Sequence, residues 1–237
     1  MNDSKTGDGY AELTGVLAAN PYPGRGLVCA RTLDGTVVGC YFVTGRSAAS
    51  REREIRQTPS GELTVAAKED VGFDPLRHYV AVTASPQWLV LGNGAQVSTV
   101  AERLGQGQPP TVALDDLEHE PDGPIFTDRI TAVMERPSGR LTVLGAARRS
   151  VLGRPGSGIV TMTVREMQPG DTVMLTTYHS DGQTITGGQP FIEARCEARD
   201  GAALLDEVWS SLNPAYRVAA LVLPVGAAPR DALIRNS

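Results

Sequence analysis

Four arginines lie around one predicted β-hairpin, and their side chains are the first candidates for chemistry in this sequence. They are Arg25, Arg46, Arg51 and Arg53. Apolar runs at residues 27–33 and 36–44 flank Asp34-Gly35, and both of these residues tolerate the positive φ of a tight turn. Because glycines stand at both ends of the hairpin, guanidinium groups and backbone amides together could bind an anion such as a phosphate. For any single arginine, a solvated position on the basic rim of the hairpin is the favoured interpretation. The four arginines together favour an anion-binding site.

Other candidate groups follow along the chain. An Asn-Gly turn at residues 93–94 leads from a predicted strand into a helix, where backbone amides point outward at the helix N-terminus. The acidic, Pro/Gly-rich segment 118–129 has the composition of a loop that carries a site, and an exposed acidic loop is the competing interpretation. Tyr79 starts a predicted strand, where its side chain could either take part in the chemistry or simply pack in the core. The stretch TYHSDG at residues 177–182 adds further polar groups.

The sequence contains none of the standard catalytic motifs: no P-loop, no GxGxxG after a first strand, no GxSxG and no HExxH. The histidines are far apart and are predicted to be surface or structural residues: His78, His119 and His179. The three cysteines are too few and too widely spaced for a disulfide framework or a zinc site. Two of them, Cys29 and Cys40, are predicted to be small buried residues of the hairpin. No metal site is therefore predicted.

Composition limits the classes of protein that fit. The 237 residues are 41% hydrophobic and 21% charged, as in an ordinary globular protein. The net charge of −5 disfavours a general nucleic-acid binder, so the arginine cluster is expected to be local. The first residues lack the pattern of a signal peptide, and no apolar run is long enough to span a membrane. We therefore expect a cytoplasmic protein without nucleic-acid or membrane partners.

The predicted elements indicate an α+β fold. Strands are expected at residues 27–33, 36–44, 63–67, 79–84, 88–91, 130–135, 141–144, 159–164, 173–177, 191–198 and 218–225. Helices are expected at 10–20, 96–104 and 202–212, with a helical turn at 113–117. The β runs are of the antiparallel type and lack a regular βαβ alternation. Residues 1–9 are predicted to be a disordered tail and residues 10–237 a single domain.

Five motifs, in one order, resemble those of the inosine monophosphate (IMP) cyclohydrolases of the archaeal type and their bacterial relatives. They are NPYPGRG at 20–26, Tyr41 with TGRS and SRxR up to residue 53, NGxQ at 93–96, EPDGPxxTxRI at 120–130 and TYxxDG at 177–182. The resemblance runs from about Asn20 to Pro190 and so covers most of the chain.

This resemblance implies an αββα sandwich of two antiparallel sheets, similar to the N-terminal-nucleophile hydrolases. The sequence begins Met-Asn-Asp, so autoproteolytic hydrolase chemistry is not expected. The implied reaction closes the ring of 5-formamido-imidazole-4-carboxamide ribonucleotide (FAICAR) to IMP with loss of water. A nucleotide substrate is therefore expected, with no metal or organic cofactor, and homo-oligomerisation is left open.

The residue types suit this reaction, because positioning, charged donors and a carboxylate can close the ring. The predicted catalytic residues are Arg51 and Tyr79, which would polarise the formyl oxygen, and Glu120, which would move protons or orient the carboxamide. The predicted substrate-binding residues are Arg25, Tyr41, Arg46, Ser47, Asn93, Gly94, Asp122 and Arg129.

Three departures from the family pattern concern the substrate. Val97-Ser98 stands where Thr-Asp is usual, and Asp128 replaces the proline of the usual Thr-Pro-Arg. Gly188-Gln189-Pro190 stands where Gly-Glu-Pro is common. Two alternatives therefore stay open: a relative that acts on a modified purine-like nucleotide in specialised metabolism, and a nucleotide-binding protein that has lost catalysis.

Overall fold

The computed structural model describes residues 10–69, 72, 74, 76–187 and 191–237. The tail predicted at residues 1–9 lies outside the described residues. So does the Gly188-Gln189-Pro190 departure from the family pattern.

The described elements alternate short helices with long runs of strands. The helices are α1 (Leu13–Ala18), α2 (Ala48–Arg51), α3 (Gln96–Gly105), α4 (Pro110–Ala113) and α5 (Gly201–Ser211). The strands are β1 (Arg25–Arg31), β2 (Val37–Thr44), β3 (Arg53–Gln57), β4 (Leu63–Ala67), β5 (Tyr79–Ala84), β6 (Trp88–Gly92), β7 (Arg129–Glu135), β8 (Leu141–Arg149), β9 (Ser157–Arg165), β10 (Asp171–Thr176), β11 (Tyr178–Ser180), β12 (Ile185–Gly187), β13 (Ile192–Arg195), β14 (Arg217–Pro224) and β15 (Leu233–Asn236).

In the described part of the chain these strands form two large antiparallel sheets and a small ribbon. One sheet has the order β13-β10-β1-β2-β14-β15 and is called the six-stranded sheet below. The other, the seven-stranded sheet, is a meander in which β3 to β9 pair in chain order. The ribbon pairs β11 with β12. The antiparallel α+β architecture is therefore confirmed.

Buried side chains separate the molecule into layers. One apolar cluster lies between the two sheets, with Leu27 and Tyr41 on one side and Leu91 and Met134 on the other. A second cluster places α1 and α5 on the outer face of the six-stranded sheet, and a third places α3 and α4 on the outer face of the seven-stranded sheet. This is the expected αββα sandwich; the likeness to N-terminal-nucleophile hydrolases stays a prediction.

The sequence of β2 shows why the hairpin takes a central position. Tyr41 and Val43 face the core between the sheets, whereas Cys40 and Phe42 pack beneath the outer helices. A strand buried on both faces is apolar throughout instead of alternating. The Asp34-Gly35 turn is present as predicted, with Gly35 at φ +87°.

Several expectations differ from the structure. The helical turn expected at 113–117 is wrong, because α4 covers Pro110–Ala113 and leaves a turn after it. Strand β3 was not predicted, since its polar sequence lies on an edge of the sheet. The short strands β11, β12 and β15 were also missed, because runs of three or four residues carry too little periodicity to be recognised.

Candidate active site

The candidate site is centred on a buried ion pair that joins the two sheets. Arg25 Nη2, at the start of β1, donates a hydrogen bond of 2.8 Å to Glu120 Oε2, in the loop before β7. The side chains are 10% and 4% exposed, so both charges are largely removed from water. Burial raises the pKa of Glu120, and the charge of Arg25 opposes the rise. Burial also lowers the pKa of Arg25, but Glu120 and nearby tyrosines raise it above its usual value, so Arg25 stays a cation.

The backbone before Arg25 is held close to β11 by a glycine. Gly24 has φ +73°, and a Cβ there would lie 2.2 Å from Thr177 Oγ1 and 2.4 Å from the Tyr178 ring. The amide of Arg25 donates a hydrogen bond of 3.0 Å to Thr177 Oγ1. The turn sequence at residues 20–26 therefore fixes the start of β1 against the tyrosine of β11.

Asn93 positions Glu120 from the opposite side. Its Oδ1 accepts hydrogen bonds from the Ile130 amide at 2.8 Å and from Gln96 Nε2 at 3.0 Å. Its Nδ2 donates to the carbonyl oxygen of Asp128 at 2.9 Å and to Glu120 Oε1 at 3.3 Å. Because Asn93 is fully buried, these bonds hold Glu120 in one orientation.

Two guanidinium N–H groups in this cluster have no hydrogen-bond partner among the described residues. They are Arg25 Nε and Arg129 Nε, both buried atoms. Gly94 borders the same space, because a Cβ there would lie 3.6 Å from Glu120 Oε1 and 3.8 Å from Arg129 Nε. Buried unpaired donors are rare in native proteins, and a charged acceptor or carbonyl oxygen of a ligand would satisfy them.

A pair of tyrosines completes the cluster. The hydroxyl groups of Tyr41 and Tyr79 lie 2.7 Å apart, and the side chains are 0% and 6% exposed. Burial raises the pKa of Tyr41 well above its usual value, and the phenol of Tyr79 adds to the rise. Both phenols contribute to the raised pKa of Arg25, so they belong to the same electrostatic cluster.

A second carboxylate stands beside the first and has different partners. Asp122 Oδ2 accepts a hydrogen bond of 2.5 Å from Thr127 Oγ1, and its Oδ1 accepts one of 2.7 Å from the Thr127 amide. Thr127 Oγ1 lies 2.5 Å from the hydroxyl of Tyr178. Asp122 also raises the pKa of Glu120 by its charge, so the two carboxylates belong to one electrostatic unit.

The hairpin arginines with printed hydrogen bonds have different partners in the structure. Arg53 donates to the carbonyl oxygens of Ser50 at 2.8 Å and Thr44 at 3.1 Å. It therefore links the end of β2 to the last turn of α2. Arg46 donates to the carbonyl oxygens of residues 182 and 183 at 3.2 Å each. Arg51 is the last residue of α2 and is exposed. Only Arg25 enters the buried cluster.

Arg46 and Ser47 lie next to the cluster without belonging to it. The guanidinium carbon of Arg46 lies 5.9 Å from the centroid of the Tyr22 ring, and Tyr22 stacks on Tyr178 with centroids 5.9 Å apart. Ser47 Oγ accepts a hydrogen bond from the Ser50 amide and so caps α2. The structure therefore gathers Arg25, Tyr41, Tyr79, Asn93, Gly94, Glu120, Asp122 and Arg129, and leaves Arg46, Ser47 and Arg51 outside.

A cleft of about 1200 Å³ opens beside these residues. Thr127, Asp128 and Tyr178 line it, together with the turn between β8 and β9. Asp128 Oδ2 accepts a hydrogen bond of 2.8 Å from Arg148 Nε, and burial raises the pKa of Asp128 to about 6. A cleft of this size can accommodate a nucleotide.

Sequence reasoning did not assign site roles to Thr127 and Tyr178, or to the Asp128–Arg148 ion pair. The signals were present, because Thr127 lies within the motif at 120–130 and Tyr178 within the motif at 177–182. What the sequence could not show is that these two segments meet across a separation of 51 residues.

The histidines take structural positions. His119 Nδ1 lies 2.7 Å from Ser157 Oγ, His78 Nδ1 lies 3.1 Å from the Asp74 carbonyl oxygen, and His179 is exposed. Within the described ranges, no group of three or more His, Cys, Asp or Glu side chains could hold a metal ion. None of the helices described is both long and apolar enough to cross a membrane.

Comparison with known proteins extends over most of the chain. The sequence model of a family described as IMP cyclohydrolase-like protein matches residues 22–225. An IMP cyclohydrolase of Methanopyrus kandleri is 28% identical over 166 residues, covering 66% of this chain and 75% of the relative. An IMP cyclohydrolase of Natronomonas pharaonis is 33% identical over 124 residues, covering 47% of this chain and 58% of the relative. The matched range includes every residue of the buried cluster.

Proposed function

This chain belongs to the family of IMP cyclohydrolase-like proteins, and we propose that it closes the pyrimidine ring of FAICAR to give IMP and water. In this reaction the carboxamide nitrogen attacks the formyl carbon, and the formyl oxygen leaves as water. Each of the two nitrogens that flank the formyl carbon gives up one proton, and the leaving oxygen gains two. The protein must therefore hold the two groups together, stabilise the oxyanion that forms and transfer protons.

The observation that carries this proposal is a pair of guanidinium donors beside Glu120 that have no hydrogen-bond partner in the part of the chain that the structure describes. Arg25 Nε and Arg129 Nε are buried N–H groups on cations, in a space where little water competes for them. Donors fixed in advance at the position where negative charge develops lower the barrier without reorganisation. A formyl or carboxamide oxygen bound at this point would satisfy them.

The other cluster residues take roles that follow from their contacts. Tyr79, oriented by Tyr41, would donate to the formyl oxygen as it becomes an oxyanion. Glu120, fixed by Arg25 and Asn93, would orient the carboxamide and accept from its N–H groups. Holding the nucleophile and the formyl carbon in contact can itself remove several kcal/mol of the barrier.

The remaining predicted residues surround this centre. Asn93, Gly94 and Asp122 would form the wall against the base or ribose, and Arg46 and Ser47 would contact the phosphate from the end of the hairpin. The proposed role of Arg51 at the formyl oxygen requires its side chain to turn inward when the substrate binds, since Arg51 is exposed.

A related enzyme that acts on a modified purine-like nucleotide is the second candidate, and Asp128 is the observation that favours it. Asp128 replaces the proline of the usual motif, lines the cleft and pairs with Arg148. The departure at Val97-Ser98 is weaker evidence for a different substrate. Val97 lies on the buried face of α3 and packs in the core, and Ser98 is exposed. A substituent on the substrate would therefore meet Asp128.

The test is a spectrophotometric assay of the purified protein with FAICAR, following IMP formation. We expect turnover by the parent, and a fall in kcat of about 10–1000-fold in Tyr79→Phe and Arg51→Ala, because each removes a donor to the developing charge. Arg140→Ala is the control, since it removes an arginine from an ion pair on the surface.

Near-parental turnover in both variants, with folding intact, would remove Tyr79 and Arg51 from the mechanism. Binding of FAICAR without turnover by the parent would favour the modified nucleotide or the non-catalytic alternative.

A further inference from the structure

Three polar side chains form a continuous hydrogen-bonded chain from the cleft to a carboxylate. They are Tyr178, Thr127 and Asp122. Tyr178 and Thr127 line the cleft, and both are nearly buried, at 6% and 1% exposure. The oxygen of Thr127 lies 2.5 Å from the Tyr178 hydroxyl on one side and 2.5 Å from Asp122 Oδ2 on the other.

Counting donors fixes the direction of this chain. A threonine hydroxyl has one proton to donate, and a carboxylate can only accept. The proton of Thr127 is therefore directed to Asp122, and Thr127 must accept the bond that it shares with Tyr178. Tyr178 is thus the donor of that bond, and its oxygen keeps lone pairs that can accept from a ligand in the cleft, which Tyr178 lines.

The loop around Asp122 holds the acceptor in place. Asp122 Oδ1 accepts from the Thr127 amide, and the amides of Ile125 and Phe126 donate to the Asp122 carbonyl oxygen at 3.2 and 3.4 Å. Phe126 has φ +53°, an uncommon conformation for a residue other than glycine. The guanidinium carbon of Arg149 lies 3.8 Å from the centroid of the Phe126 ring and covers that turn.

We propose that Tyr178 is the proton-transferring catalytic residue of this site and acts through a relay of Thr127 and Asp122. The inference rests on the proposed function. The oxygen of Tyr178 accepts a proton from a substrate nitrogen as the phenolic proton passes to Thr127 and the Thr127 proton passes to Asp122. Asp122 then holds the proton as a neutral acid.

The return path balances the reaction. The proton on Asp122 goes back through Thr127 and Tyr178 to the former formyl oxygen, and the relay is reset. Two such cycles move one proton from each of the two flanking nitrogens to the oxygen, which leaves as water. The C–N bond forms in the first cycle and the C–O bond breaks in the second, and no oxidant or metal is required.

Glu120 is less suited to this transfer. Glu120 forms an ion pair with Arg25, and this cation favours the ionised carboxylate. Asp122 accepts from the hydroxyl and the amide of Thr127 and forms no salt bridge with the described residues. Burial raises the pKa of the Tyr178 phenol, so the phenol remains protonated and ready to pass its proton along the chain. Glu120 therefore positions the substrate, and Tyr178 exchanges protons with it.

The experiment compares kcat and KM for FAICAR in Thr127→Val, Thr127→Ser and Tyr178→Phe. Valine keeps the shape of threonine and breaks the relay, whereas serine keeps the hydroxyl. We expect kcat to fall at least about 100-fold in the valine and phenylalanine variants with KM changed less than about threefold, as for loss of acid–base catalysis. The serine variant should recover to within about tenfold of the parent, and the loss should appear as a changed pH profile of kcat.

Thr142→Val is the matched control, because it removes a buried threonine hydroxyl that has no hydrogen-bond partner among the described residues. It should keep the parental kcat. Parental kcat in Thr127→Val would overturn the relay. If Thr127→Val does not fold, Tyr178→Phe decides, since phenylalanine keeps the ring stacked on Tyr22.

A hydroxyl-proton NMR experiment separates the relay from the proposed function. With 13C-labelled tyrosine, the parent should show a slowly exchanging hydroxyl proton that disappears in Tyr178→Phe. If the parent does not convert FAICAR, the proposed function fails. The Tyr178 hydroxyl signal then still tests whether the hydrogen-bonded chain exists. Its presence in Thr127→Ser and loss in Thr127→Val would support the hydrogen-bonded chain, and an unchanged signal in Thr127→Val would overturn it.

Discussion

At the level of single residues, two neighbouring carboxylates differ in their partners and therefore in what they can do. Glu120 accepts from a guanidinium and a side-chain amide, and Asp122 accepts from the hydroxyl and the backbone amide of Thr127. Environments that separate two acids in this way are a common basis for assigning distinct roles. A third acid, Asp128, lies in the cleft with its own cation.

Asp128 gives a pH-dependent prediction. Its pKa is about 6 in the folded protein because of burial, against an ordinary value of 3.8. Between these values the folded state binds more protons than the unfolded state, so stability falls as the pH rises. Relative to Asp128→Asn, the parent should therefore lose up to about 3 kcal/mol of unfolding free energy from pH 4 to pH 7.

The measurement is urea unfolding of the two proteins across that pH range. Arg148 loses its carboxylate partner in the variant at every pH, so this effect cancels from the pH dependence. A parent that gains stability over the variant with rising pH would show that the attraction of Arg148 outweighs burial.

Prediction from sequence was uneven at this level. The motifs gave Arg25, Tyr79, Asn93 and Glu120, and these side chains do lie together. The arginines at the end of the hairpin were grouped because they are near one another in sequence. Their directions depend on how α2 turns the chain, which capping by Ser47 and the contacts of Arg53 decide.

At the level of elements, the turn from β6 into α3 needs a residue without a side chain. A Cβ at Gly94 would lie 2.8 Å from Gln96 Oε1, which forces Gln96 or the helix start to move. Gln96 Nε2 donates to Asn93 Oδ1 and to the carbonyl oxygen of Ile130, so any shift passes to the amide that orients Glu120.

Gly94→Ala should therefore cost about 1–3 kcal/mol of stability, as overpacking does, and lower kcat for FAICAR by a factor larger than that instability explains. Gly105→Ala is the control in the same helix, because nothing lies within 4 Å of a Cβ at that position. Thermal unfolding and the FAICAR assay measure both effects. A Gly94→Ala protein as active as Gly105→Ala would show that the turn does not set the site geometry.

Most elements could be predicted because their signals are local. The Asp34-Gly35 hairpin and the apolar face of α3 are both readable within a window of a few residues. The β11–β12 ribbon could not be predicted in this way, because its strands are too short to show a periodic pattern and its position is fixed by contacts with residues far away in sequence. One of them is the hydrogen bond between Asn20 Nδ2 and the Tyr178 carbonyl oxygen.

At the level of the whole molecule, the site exists only where the two sheets meet. Arg25 belongs to the six-stranded sheet, and Glu120 belongs to the loop that leads into the seven-stranded sheet. The core between the sheets sets their distance, and Asn236 adds two hydrogen bonds to the backbone of Ile55 in the other sheet. The sequence could suggest both sheets but not their registration, because contacts across 95 residues leave no local pattern.

The most direct test of the account is the turnover of FAICAR by Arg25→Lys. Lysine keeps the positive charge opposite Glu120 but lacks the second, unpartnered N–H of the guanidinium. We predict a folded variant whose kcat is lower by about 100–1000-fold, as for the loss of one preorganised donor. A folded variant with parental kcat would contradict it, because the buried guanidinium between the sheets would then have no part in the chemistry.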